Sequence, residues 1–116
     1  MKTILLFGAG KSASVLIDFL IKESKENNWS FIVADADKNL VLTKTNNSPY
    51  AEAVGLDINN NAERTELISR ADIVISMMPP SLHILIAKDC VTYKKHLLTA
   101  SYLDPQIKAL EAEIIA

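Results

Sequence analysis

Short apolar runs alternate along this chain with amphipathic stretches of helix length. Ile4 to Phe7 ends at a glycine and Phe31 to Ala34 ends at Asp35. Both are unbroken apolar runs, the pattern of strands covered on both faces. Ala53 to Leu56 is interrupted by Gly55 but falls where a third strand is due, just before Asp57. Ile73 to Ile75 reads as a fourth strand, with Pro79 and Pro80 downstream where a central strand cannot continue. His96 to Thr99 reads as a fifth. Ala13, Leu16, Ile17, Leu20 and Ile21 recur at three- and four-residue spacing, so they share one face of a first crossover helix. Ala62 to Ser69, with the Asn59 to Asn61 cluster available as a cap, and Ser81 to Thr92 supply the third and fourth crossovers. Between Lys38 and Tyr50 poor helix formers predict a short helix and a long loop. The whole predicts an α/β fold: a doubly wound parallel sheet of five strands in the order 3-2-1-4-5, three layers deep, with right-handed crossovers.

Asp104 and Pro105 form a helix start, and Ile107, Leu110 and Ile114 form a stripe after it. That pattern runs to Ala116 without a glycine stop or a basic last turn, so residues 1–116 read as a single domain whose chain ends mid-structure. Its length suits one domain with a real core. The balance of 49% hydrophobic and 22% charged residues is that of a folded globular protein. A net charge of −2 without a basic stripe argues against nucleic acid. The opening apolar run is shorter than the core of a secretory signal, and no stretch approaches the length of a membrane span. Cys90 is the single cysteine, so neither an internal disulfide nor a thiolate metal cluster is expected, and the expected compartment is a reducing cytoplasm.

Gly8-Ala9-Gly10-Lys11-Ser12-Ala13 matches the G-x-G-x-x-G/A fingerprint and lies between a strand and an amphipathic helix, as the chemistry requires. Gly8 permits the tight turn, Gly10 admits the pyrophosphate to the backbone, Ala13 packs helix on strand, and the helix N-terminus offers amide donors to the anion. A Rossmann-type dinucleotide site is the reading. A phosphate-cradling P-loop fails, because Leu5 stands where that motif needs a further glycine. Asp35, about twenty residues beyond Ala13 at the end of the second strand, is placed to accept from the adenosine ribose hydroxyls. It would repel a ribose phosphate, and Ala36 follows where arginine is more usual in NADP binders, so NAD is expected over NADP. Lys38 works against that inference, since its ammonium can reach a phosphate near the same edge.

Ser76-Met77-Met78-Pro79 follows the fourth strand at the carboxyl edge, where cofactor contact is expected by position; Met77 and Met78 also read as packing residues. His83, alone in the first turn of a helix, and Cys90, inside one, read as structural. Ser101 and Tyr102 end the fifth strand at the same edge, so both hydroxyls can face the crevice. A short-chain dehydrogenase is excluded, because its lysine four residues after the tyrosine is Gln106 here.

The stretch from Leu56-Asp57 through Asp72-Ile73-Val74-Ile75-Ser76-Met77-Met78-Pro79-Pro80 to His83, then Leu98 to Pro105 and Lys108 to Glu111, resembles the saccharopine dehydrogenase family, above all its lysine-ketoglutarate reductase/saccharopine dehydrogenase group. The resemblance implies an oxidoreductase of lysine metabolism that splits or forms the secondary amine joining lysine to a dicarboxylic acid, with NAD or NADP. It implies cofactor contacts at Gly8 to Ala13, Asp35, the Asp57-Ile58 turn and Ser76 to Pro79, and substrate contacts at Ser101 and Tyr102. Family members continue into a substrate domain that this sequence lacks, so the catalytic residues are unassigned and the chain alone is expected to bind without catalysing. Ala36, Asp37 and the Lys38 to Tyr50 region depart from the family pattern. The expected partners are a dinucleotide and, in a longer chain, an amino-acid substrate, with a homodimer left open. The alternative is a non-catalytic nucleotide-sensing module of the kind that regulates potassium channels and transporters.

Overall fold

The computed structural model describes residues 2–10, 13–78 and 80–99. Nine elements alternate in the described chain: β1 (Thr3–Phe7), α1 (Ser14–Asn27), β2 (Ser30–Asp35), α2 (Lys38–Lys44), β3 (Glu52–Gly55), α3 (Asn61–Arg70), β4 (Ile73–Ser76), α4 (Pro80–Thr92) and β5 (His96–Thr99). The strands form one parallel sheet in the order β3-β2-β1-β4-β5. The helix expected from Asp104 onward lies outside the described residues.

Strand periodicity sorts the apolar residues into two cores. Leu5, Phe7, Ile32, Ala34, Val74 and Leu97 meet Leu67, Ile68, Ile86 and Cys90 of α3 and α4. Ile4, Leu6, Phe31, Val33 and Ile75 meet Ala13, Ile17 and Leu20 around α1, together with Val41 of α2. Both faces of β1 and β2 are therefore buried, which is why their sequences are unbroken apolar runs.

β3 lies one residue earlier than the sequence pattern suggests, because it is an edge strand with exposed and half-buried positions. Leu56 is buried but stands just past it, its N–H donating to the Asp35 carbonyl at 2.9 Å. Local chemistry sets the helix ends. Asp37 caps α2 by accepting from the Leu40 N–H at 3.1 Å, and Asn60 caps α3 by accepting from the Glu63 N–H at 3.1 Å. Asn28 closes α1 in the left-handed conformation at φ 58°.

Cys90 is fully buried. Burial pushes its thiol from 9.0 up to about 12, the Asp89 carboxylate adds to the rise, and Lys95 opposes it. The folded chain should therefore resist iodoacetamide at pH 8 and react only in step with unfolding, measured by mass spectrometry along a urea series. Because the folded-state value is the raised one, the thiol's contribution to stability is complete below 9.0 and is lost as pH climbs toward about 12. Among the described residues, no helix is long and apolar enough to cross a membrane.

Candidate functional site

The strand order reverses between β1 and its neighbours β2 and β4, so the chain leaves β1 and β4 at the carboxyl edge in opposite directions and opens a crevice. Gly8 turns the chain out of β1 with φ 100°, and its N–H donates to the Ala34 carbonyl at 2.8 Å. A β-carbon at Gly8 would lie 3.2 Å from the Met78 sulfur and 3.3 Å from the Met77 backbone carbonyl, so the β1 and β4 loops touch through this glycine. Gly10 differs: nothing lies within 4 Å of its β-carbon position, and the residue is exposed. The loop closes when the Ala13 N–H donates to the Gly10 carbonyl at 3.0 Å.

At the start of α1, Ala13 supplies no side-chain cap and the first turn holds no acidic residue. Lys44, at the end of α2, donates from Nζ to the Ser14 hydroxyl at 2.6 Å, which brings an ammonium to the positive end of the helix dipole. A cation there is unfavourable by itself and favourable beside an anion.

Asp35 spans the base of the site. Its Oδ2 accepts from the Ala9 N–H at 2.8 Å and its Oδ1 from the Asp37 N–H at 3.0 Å, while its carbonyl takes the Leu56 N–H. One residue thus joins the glycine loop, the turn into α2 and the end of β3. Lys38 begins α2 beside it. Its Cβ lies 3.1 Å from the β-carbon position of Gly55, the register partner of Asp35, so the lysine stem crosses the strand end where a side chain would block it.

Next to Asp35 opens a cavity of about 210 Å³. Leu56, Ile58, Met78 and Leu82 give it apolar walls, and Asp35, Asp57 and Asn59 give it a polar rim. Its size suits one flat ring system rather than a whole dinucleotide. Asp57 shapes the rim by accepting the Asn59 N–H on its Oδ1 at 2.9 Å. A larger depression of about 420 Å³ is bounded by Asp18, Ile21 and the 45–49 loop. That loop returns to the start of β3, away from the carboxyl ends where ligands bind in such sheets.

The structure thus gathers Gly8, Ala9, Gly10, Ala13, Asp35, Asp57, Ile58, Met77 and Met78 at one edge. Met78 both packs and lines the cavity, whereas Met77 packs against the α1 side. Ser76 is buried, and its hydroxyl accepts the Met78 N–H at 3.4 Å. Lys11, Ser12, Pro79, Ser101, Tyr102 and the side chain of His83 lie outside the described residues. Among those described, no cluster of three or more His, Cys, Asp or Glu could hold a metal ion.

Sequence reasoning missed Lys44, Asn59, Leu82 and Arg64. Arg64 had a visible signal, a charge three and four residues before Leu67 and Ile68 on an inward helix face. It is 6% exposed, and donates to the Ile58 carbonyl at 2.7 Å and the Asn61 side chain at 2.7 Å, with Asp89 as its ion-pair partner.

Fold, glycine loop and cavity define a dinucleotide-binding domain of the Rossmann type. Residues 4–116 match the family described as Saccharopine dehydrogenase NADP binding domain, and the chain belongs to that family. It is 32% identical over 115 residues to "Saccharopine dehydrogenase [NADP(+), L-glutamate-forming]" of Schizosaccharomyces pombe, which takes in 99% of this chain and 25% of that protein. It is 30% identical over 124 residues to "Alpha-aminoadipic semialdehyde synthase" of Arabidopsis thaliana, covering 92% of this chain and 12% of that protein. The solved apo saccharopine dehydrogenase (L-Glu forming) of Saccharomyces cerevisiae superposes with a TM-score of 0.82 at 26% identity, over 97% of this chain and 24% of that one. The chain therefore spans a quarter or less of the length of these relatives.

The expectation of NAD over NADP is overturned. The family is defined as an NADP-binding domain, and the S. pombe relative is named for NADP(+). The physical reason lies in Asp35. Each of its carboxylate oxygens takes a backbone amide, so the carboxylate expected to face the ribose is turned toward the glycine loop and the start of α2, where the chain also places Lys38.

Proposed function

We propose that this chain holds NADP(H) as the cofactor part of an oxidoreductase acting on the secondary amine of an amino-acid adduct, as the names of the relatives suggest. The observation that carries the reading is the open space before Gly10, bordered by the start of α1 and adjoining a cavity of ring size.

In this reading the backbone from Gly8 to Ala13, with Lys11 and Ser12, faces the pyrophosphate. The Asp57-Ile58 turn, with Asn59, Met78 and Leu82, encloses the adenine. Ser76, Met77 and Pro79 border the path toward the nicotinamide. Asp35 shapes the ribose site through the glycine loop, and Lys38 takes the ribose phosphate. Ser101 and Tyr102 approach the amino-acid substrate. When bound, the nicotinamide supplies the hydride acceptor or donor, while this domain supplies binding and orientation.

Calorimetric titration of the purified chain tests the proposal. NADP(+) should bind more tightly than NAD. Lys38→Ala should weaken NADP(+) by roughly 10- to 100-fold, the worth of one charge-assisted hydrogen bond, and leave NAD unchanged. Equal weakening of both cofactors would show that Lys38 does not read the phosphate.

A further inference from the structure

A charged side chain on the inward face of α3 is costly unless something requires it. Arg64 is 6% exposed and bonded at once to α4, to the β3–α3 turn and to the first residue of its own helix. Its Nε donates to Asp89 of α4 at 2.5 Å, its Nη1 to the Ile58 carbonyl at 2.7 Å, and its Nη2 to the Asn61 side chain at 2.7 Å. Desolvating such a pair offsets much of its attraction, and well-packed apolar residues often replace a buried ion pair without loss of stability. Stability alone therefore does not account for it.

Two of its partners, Ile58 and Asp89, belong to the segments that supply the walls of the 210 Å³ cavity. Ile58, flanked by Asp57 and Asn59, forms one wall; Leu82 of α4 and Met78 just before it form the other. Asp89 lies farther along α4. The guanidinium fork thus fastens the β3–α3 turn to α4. A lysine could not reproduce that span, because its single ammonium lacks the planar fork. Nor could an apolar residue, because the Ile58 carbonyl would lose its donor.

We propose that Arg64, braced by Asp89, is a positioning residue that fixes the width of the adenine cavity by holding the Ile58 turn against α4. The inference rests on the proposed dinucleotide function. Arg64 need not touch the ligand. Its effect reaches the ligand through the Asp57 to Asn59 rim.

The test compares the wild-type chain with Arg64→Met/Asp89→Asn, which stays close to the original side-chain volumes and leaves no unpaired charge. Urea unfolding reports global stability, calorimetry reports binding of adenosine 2′,5′-bisphosphate and NADP(+), and amide hydrogen exchange reports the Asn59 and Asn60 turn. The double variant should stay folded with a modestly lower urea midpoint, since the Ile58 carbonyl loses its donor, and exchange should quicken more at Asn59 and Asn60 than at Leu6 and Val33. It should lose about tenfold in affinity for both compounds, the equivalent of one hydrogen bond. Wild-type affinity in a folded double variant would overturn the inference and leave the dinucleotide reading intact. Uniformly faster exchange across the sheet would also overturn it, by showing a merely structural pair. A wild-type chain that binds neither compound would overturn the functional reading, and this inference with it.

Discussion

Gly8→Ala and Gly10→Ala are expected to lose cofactor binding in different ways. At Gly8 the backbone stands at φ 100°, where an L side chain is strained, and the new β-carbon would press on the Met77 carbonyl and the Met78 sulfur at 3.3 and 3.2 Å. The sulfur can move; the backbone between β4 and α4 yields less readily. Strain of roughly 1–3 kcal/mol and an overpacking cost of about 1 kcal/mol or more should lower the unfolding free energy by about 2–4 kcal/mol. Urea denaturation measures it. At Gly10 no atom lies within 4 Å of the β-carbon position and φ is not positive, so alanine should leave the midpoint unchanged or slightly raised. The same methyl group would occupy the space assigned to the pyrophosphate. Loss of one or two charge-assisted contacts to the backbone should weaken NADP(+) by about 100-fold or more. A Gly10→Ala chain that binds as wild type would place the pyrophosphate elsewhere.

The contrast between these glycines shows what was legible in the sequence. The fingerprint is local: a strand, two glycines and a helix start follow one another within a few residues, and their spacing is their geometry. β1, β2 and β4 were legible for a related reason, since burial on both faces makes a strand apolar at every position. β3 was legible only to within a residue, because Leu56 is buried from outside the strand and the edge positions mix polar with apolar. Arg64 carried a signal in its spacing to Leu67 and Ile68, but a charge in a helix ordinarily faces water, and its partner Asp89 on α4 follows from the packing of α3 against α4 rather than from sequence spacing. Asp35 was read correctly in place and incompletely in direction. Its partners at Ala9 and Asp37 depend on how its carboxylate turns at the strand end, and residue types do not specify that turn.

The Asp35 geometry leads to the second large effect. Ala9 is fully buried, and its N–H donates to one carboxylate oxygen while the Asp37 N–H donates to the other. Asparagine offers one acceptor where two are used and points its own N–H donors at the remaining amide. Asp35→Asn should therefore leave one backbone donor unsatisfied and release either the glycine loop or the turn into α2, at a cost of about 1–3 kcal/mol in local order. Alanine at 35 removes both acceptors and should cost more. On the proposal that the loop serves the pyrophosphate of either cofactor, affinity for NADP(+) and for NAD should fall by the same factor, on the order of 10- to 100-fold. A carboxylate acting as an electrostatic filter predicts a different pattern: removing its charge would strengthen NADP(+) relative to NAD. Calorimetric titration of Asp35→Asn with both cofactors separates the two. A parallel fall identifies Asp35 as the anchor of the glycine loop, and a ratio shifted toward NADP(+) would return it to the role of a ribose-phosphate filter.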